Sequence, residues 1–125
     1  MLFLMLILVA LSESLHDPEE EFLAMQHDCM LETGATDEMM SRAFHGHFPD
    51  VPEFKEQLVC MGRKGGIISP DGTYHIEILK QKILPFIEDE PLLNVILEDC
   101  YHPELTPQET AFRMAKCVYI RLMEQ

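Results

Sequence analysis

The sequence predicts an all-α fold, a compact bundle of about six helices in one domain. Three observations carry this expectation. Apolar residues recur at helical rather than alternating spacing along the chain after residue 14, with no competing strand pattern, internal repeat or low-complexity tract. Helix starts are marked by Asp or Thr caps followed by proline and acidic residues. Four cysteines, Cys29, Cys60, Cys100 and Cys117, form an even set, which in a small secreted chain reads as disulfides.

The chain opens MLFLMLILVALSES. Its eleven apolar residues, Met1 to Leu11, are too few for a membrane-spanning helix, which takes roughly twenty. They fit the apolar region of a secretory signal peptide, although no Lys or Arg precedes them. Ala10-Leu11-Ser12 and Ser12-Glu13-Ser14 are both small-x-small cleavage sites. Residues 1–14 are therefore assigned to a signal peptide and 15–125 to the folded domain, about 110 residues long.

DPEEEFLAMQHDCMLETG gives the first helix, with Asp17 as cap, Pro18 in the first turn and three glutamates where the helix dipole favours negative charge. Phe22, Met25 and Cys29 share its apolar face, and Gly34 ends it. Thr36 opens a short second helix, TDEMMSRAF, stopped by Gly46 and Pro49. Asp50 or the Val51-Pro52 step opens a third, PEFKEQLVCMGRK, with Phe54, Leu58 and Met61 as a stripe and Cys60 at its edge. A Pro70-Asp71-Gly72 turn leads into TYHIEILKQKILPF, which carries Tyr74, Ile76, Ile78, Leu79 and Ile83 at helical spacing until Pro85. EDEPLLNVILEDCYH is a fifth helix with Leu92, Leu93, Ile96, Leu97 and Cys100. Thr106, Pro107 and Glu109 then form a capping-box start for the last helix, whose broad face holds Ala111, Phe112, Ala115, Val118, Tyr119 and Leu122.

Charge and motifs exclude several classes of function. With 22 acidic residues against nine basic ones, the surface repels phosphate backbones and anionic headgroups, so neither nucleic acid nor stable membrane association is expected. No CxxC or close Cys/His pair of pairs offers a structural zinc site. His45-Gly46-His47 reads as a solvated turn, and the acidic runs at 19–21 and 88–90 as helix starts. Nothing matches GxSxG, HExxH or a P-loop. No catalytic residue, metal or cofactor is expected, and no enzyme activity. Spacing leaves all three pairings of four cysteines open.

The order of short motifs resembles the insect odorant-binding proteins of the pheromone and general odorant-binding type. Cys29, Glu32-Thr33-Gly34, Glu38, Gly46 and Phe48-Pro49 are similar to the family's C..ETG...E...G.FP pattern. Lys55-Glu56-Gln57-Leu58-Val59-Cys60 sits where members read KCYLKC. Gly66-Ile67-Ile68 through Asp71-Gly72 resembles GIVDEDG, and Glu109 to Cys117 resembles ETAYKLAKC. The likeness covers essentially the whole domain.

That resemblance implies an extracellular carrier of small hydrophobic molecules, odorants or pheromones, in an internal cavity. It selects Cys29 to Cys60 and Cys100 to Cys117 among the three pairings; closing such loops stabilises a fold by roughly 3 to 4 kcal/mol each. Members with six cysteines carry two more, which fall here on Glu56 and Gln108 and bond to each other, so this chain resembles the four-cysteine, minus-C subgroup. The stretch from Cys100 to Gln108 is slightly short for the family, leaving that register open by one residue. The ligand site implied by the resemblance comprises Leu58, Tyr74, Ile78, Ile96, Phe112, Ala115 and Val118, with Met39, Met61 and Tyr119 in second rank. Nine methionines and seven phenylalanines supply adaptable lining of the kind such a ligand needs.

A buried tyrosine hydroxyl needs a partner, so Tyr74 or Tyr119 is expected either to anchor a ligand oxygen or to bond backbone or solvent. Six histidines raise the expectation of ligand release below about pH 6, without the help of a long tail after Cys117. Besides the ligand, a chemosensory receptor and a second copy of the chain, as a homodimer, stand as candidate partners, in chemosensory lymph or another secretion. The alternative is a secreted interaction protein that acts through its surface.

Overall fold

The computed structural model of the protein describes Leu4 and residues 17–104 and 106–124. The signal-peptide expectation thus falls, Leu4 apart, outside the described residues. Among the described residues from 17 onward, six α-helices follow in the expected order: α1 (Pro18–Thr33), α2 (Asp37–Phe44), α3 (Pro52–Lys64), α4 (Ile76–Ile83), α5 (Glu90–Cys100) and α6 (Pro107–Met123). A 3-10 turn at Leu84–Phe86 follows α4, where Pro85 ends the regular helix. No helix among the described residues is long and apolar enough to cross a membrane.

Local chemistry accounts for most boundaries. The Asp17 carboxylate accepts from the Glu19 N–H, and Gly34 turns left-handed at φ 80° so that its N–H can donate to the Met30 carbonyl. The side chains of Thr36, Asp89 and Thr106 accept from the N–H groups of Met39, Leu92 and Glu109.

Of the two starts expected for α3, the Val51-Pro52 step is the one taken, with Val51 as cap and no side-chain bond; the Asp50 carboxylate is bonded to Lys55 Nζ at 2.7 Å. Two expectations change. The fourth helix begins at Ile76 rather than near Tyr74. Tyr74 is instead extended in an isolated antiparallel bridge with Ile68, held as His75 N–H donates to the Ile67 carbonyl at 2.7 Å. Thr106 caps α6, yet the Glu109 carboxylate that would complete a capping box turns to Lys55.

The cysteines pair Cys29 with Cys60 and Cys100 with Cys117, at Cα separations of 5.8 and 5.5 Å. The first bond ties α1 to α3 and the second ties the end of α5 to α6. Packing is uneven around the bundle. Cys29 of α1, Phe54, Gln57 and Val59 of α3, and Leu93 and Ile96 of α5 are sealed from solvent, and α6 adds Thr110, Ala111, Phe112 and Met114. By contrast, neither α4 nor the 3-10 turn has a fully buried side chain.

Candidate functional site

Helices α3 and α6 meet in three successive rungs. Phe54 meets Phe112 edge to face, with ring centroids 6.3 Å apart. Lys55 joins Glu109 while its ammonium lies 4.8 Å from the Phe112 ring centroid. Gln108 Nε2 donates to Glu56 Oε1 at 2.9 Å. Glu56 and Gln108, the positions that the resemblance gives to two absent cysteines, therefore face each other. The bonds from Asp50 and then Glu109 hold the Lys55 ammonium above its ordinary pKa, and the same Lys55 bond holds the Asp50 carboxyl below its own.

Most of the buried apolar residues fall into three clusters, and five of the seven expected ligand residues lie in or against them. Phe112 joins Cys29, Met40, Phe54 and Met61. A second cluster is Val59, Ile68 and Ala111. Ile96 joins Cys100 and Met114 in the third, with half-buried Val118 against it. Leu58 packs against both the first and second clusters, and Tyr74 against both the second and third. Ile78 and Ala115 are half-buried and stand outside the three groups. Five of the seven, Leu58, Tyr74, Ile96, Phe112 and Val118, thus pack in or against these clusters, with Leu58 and Tyr74 as links. In the second rank, Met61 is buried in the first cluster and Met39 packs against it.

The tyrosines resolve differently from one another. The Tyr74 hydroxyl donates to the Pro107 carbonyl at 2.7 Å, so its proton is committed to backbone rather than free to anchor a ligand. Burial, with the Tyr101 ring 5.7 Å away, pushes the Tyr74 pKa up to about 12. Tyr119 packs its ring edge to face with Phe48 at 5.7 Å and lies directly against Gly46, where an added Cβ would come within 2.5 Å of Tyr119 Cε1.

Two recesses open on the surface. One of about 430 Å³ is lined by Arg63, Ile68 and Pro70. The other, about 350 Å³, is lined by Arg42, Gly46, His47, Phe48, Pro49 and Lys116. None of the seven expected ligand residues is among the residues that line either recess. His45 and His47 are both exposed, with the Ser41 carbonyl 2.8 Å from His45 Nδ1. Cys29, Glu32 and Cys60 are the one metal-like grouping among the described residues. Its sulfurs are bonded to each other and offer no thiolate, while Glu32 pairs with Lys64 at 2.7 Å.

The chain matches the PBP/GOBP family over residues 12–120. It belongs to that family. Two curated relatives from Tenebrio molitor bear this out. The B1 protein is 29% identical over 114 residues, spanning 91% of this chain and 88% of that one. The B2 protein is 30% identical over 114 residues, 90% of this chain and 89% of its own. Among solved structures, odorant binding protein 4 of Chrysopa pallens superposes with a TM-score of 0.69 at 20% identity, over 86% of this chain and 91% of that one. This PBP/GOBP chain therefore has the odorant-binding fold.

Sequence periodicity missed a polar knot at the centre of this family member. Gln57 is 0% exposed. It accepts from Thr33 Oγ1 at 2.8 Å and donates through Nε2 to the Gln26 carbonyl at 2.9 Å, so α1 and α3 are pinned beside the Cys29–Cys60 bond. Thr110 is likewise buried, accepting from the Glu104 N–H at 2.8 Å and donating to the Thr106 carbonyl at 3.2 Å. Glutamine and threonine carry no apolar signal; only the presence of partners makes their burial favourable.

Proposed function

We propose that this PBP/GOBP chain binds small hydrophobic molecules, of the odorant or pheromone kind, inside the helical bundle and carries them outside the cell. The observation that carries this reading is the uneven packing. The apolar face of α4 runs along the bundle without a single fully buried side chain, whereas α3 buries Phe54, Gln57 and Val59 and α5 buries Leu93 and Ile96. A stable domain of this size ordinarily fills its interior to crystal-like density, so a half-packed side suits a guest molecule that completes it. Leu58, Tyr74, Ile78, Ile96, Phe112, Ala115 and Val118 are the proposed lining. No group among them can act as nucleophile or general base at neutral pH, which suits binding without chemistry.

Export fits two disulfides, bonds that persist in oxidising compartments, together with removal of residues 1–14 as a signal peptide. A chemosensory receptor, as recipient of the ligand, and a second copy of the chain are the proposed protein partners. Loss of ligand below about pH 6 is part of the same proposal, tested by comparing affinity at pH 7 and pH 5; equal values refute it.

The test of the main reading is displacement of a fluorescent apolar probe from the refolded, oxidised protein. Displacement by apolar volatiles at micromolar concentration supports the carrier. A specific feature favours a second reading, a secreted protein acting through its surface: Phe44 is 58% and Phe86 53% exposed, and both rings pack edge to face on Phe22. Absence of any probe uptake would favour that alternative.

A further inference from the structure

We propose that the recess beside α2 and α6 is a carboxylate-binding site that takes the head group of an amphipathic monocarboxylate, one acid group on an aliphatic tail. This inference rests on the small-ligand reading above and names a class of ligand for it. The chain has nine cationic side chains against 22 acids, so almost every cation is expected to find a carboxylate. Among the described residues all but two do. The two are Arg63 and Lys116, and each lines one of the two surface recesses.

The Lys116 recess has the more complete chemistry. Arg42 stands on its wall, itself 65% exposed and held only by a 3.6 Å contact with Glu38, which is 78% exposed; such a pair is weak and exchangeable. The Lys116 ammonium rests 5.1 Å from the Phe112 ring centroid. Asp50, the carboxylate whose ionisation feels Lys116, is bonded to Lys55 at 2.7 Å and so is committed elsewhere. His47 adds a further polar ring to the same wall.

The remaining wall is apolar. Phe48 is half-buried, edge to face with sealed Phe54 at 6.2 Å and with Tyr119 at 5.7 Å, and Pro49 lies beside it. An aliphatic tail laid on Phe48 leads toward the Phe54 and Phe112 core, with its charge left at Arg42 and Lys116. The overall charge of −13 disfavours a polyanion such as a nucleotide, whose repulsion grows with each added charge. A single carboxylate on an apolar body is the anion this recess fits.

Calorimetric titration of the oxidised protein with decanoate and with 1-decanol at neutral pH tests the site. Decanoate is expected to bind about fivefold more tightly, the scale of two exposed ion pairs. The double variant Arg42→Gln, Lys116→Gln should abolish that preference, with the loss falling on decanoate. Arg63→Gln, at the other recess, should leave the preference intact. Equal affinity for the two ligands in the parent protein, a preference that survives the double variant, or one lost equally in Arg63→Gln overturns the proposal while the carrier reading stands. Binding of neither ligand overturns both.

Discussion

Replacing Glu56 and Gln108 together by cysteine should restore a crosslink where the fold now relies on one hydrogen bond. The two side chains already meet, Gln108 Nε2 to Glu56 Oε1 at 2.9 Å, across a sequence separation of 52. Closing a loop of that length removes about 4 kcal/mol worth of unfolded-chain entropy in the loop-closure treatment. The existing bridges do not shorten this loop, since neither offers a shorter path from 56 to 108. Loss of the exposed amide–carboxylate bond subtracts about 1 kcal/mol. The net gain of about 3 kcal/mol should raise the unfolding midpoint by about 10 °C for a domain of this size. Thiol titration after oxidising refolding, followed by scanning calorimetry, measures both steps. Two free thiols, or a third disulfide with an unchanged midpoint, would refute the reasoning that these positions replace a bridge. The same variant should accept a narrower range of ligand shapes, because α3 and α6 could no longer shift against one another.

Gly46→Ala should destabilise the protein by about 2 to 4 kcal/mol in urea, since φ is +87° and the new methyl would meet the Tyr119 ring. Gly66→Ala, at φ +77° with nothing within 4 Å, should cost only about 1 kcal/mol; equal costs would show that the Tyr119 contact is unimportant. Gln57→Leu should cost about 2 to 3 kcal/mol by leaving the Thr33 hydroxyl and the Gln26 carbonyl without their partner, and a neutral result in chemical denaturation would remove the polar knot from the account. In ultraviolet titration, the last tyrosine to ionise should do so at about pH 12 and vanish in Tyr74→Phe. The folded pKa is raised, so the contribution of Tyr74 to stability is full below about pH 10 and is lost as pH rises toward 12. For Asp50 the sign reverses. Its pKa is lowered by Lys55, so the stability difference between the parent and Asp50→Asn should be present at pH 6 and shrink as pH falls below about 4.

The helix sequence of this fold was readable because its signals are local. Caps at Asp17, Thr36 and Thr106, stops at Gly34 and Pro85, and 3.6-residue periodicity act over a few residues each. Where a local signal had a distant competitor, the distant one won. Glu109 left its capping box for Lys55, and Tyr74 left the helix for a bridge with Ile68. The disulfide pairing came from resemblance to a family; four cysteines alone allow three solutions.

Of the candidate site, the residue types were readable and their arrangement was not. Leu58, Ile96 and Phe112 were expected at the interior from periodicity and resemblance, and each packs there. That Leu58 and Tyr74 link separate clusters, that α4 stays half-packed, and that Lys116 stands beside Arg42 in one recess depend on how helices far apart in sequence are docked. The sequence by itself determined six helices and an acidic surface, and its resemblance to a family pointed to Glu56 and Gln108 as the places of two absent cysteines. Only the tertiary structure decided that Glu56 faces Gln108, that Gln57 is sealed at the α1–α3 contact, and which cations lack a carboxylate. Local propensity is set by neighbours along the chain, whereas burial and pairing depend on neighbours in space.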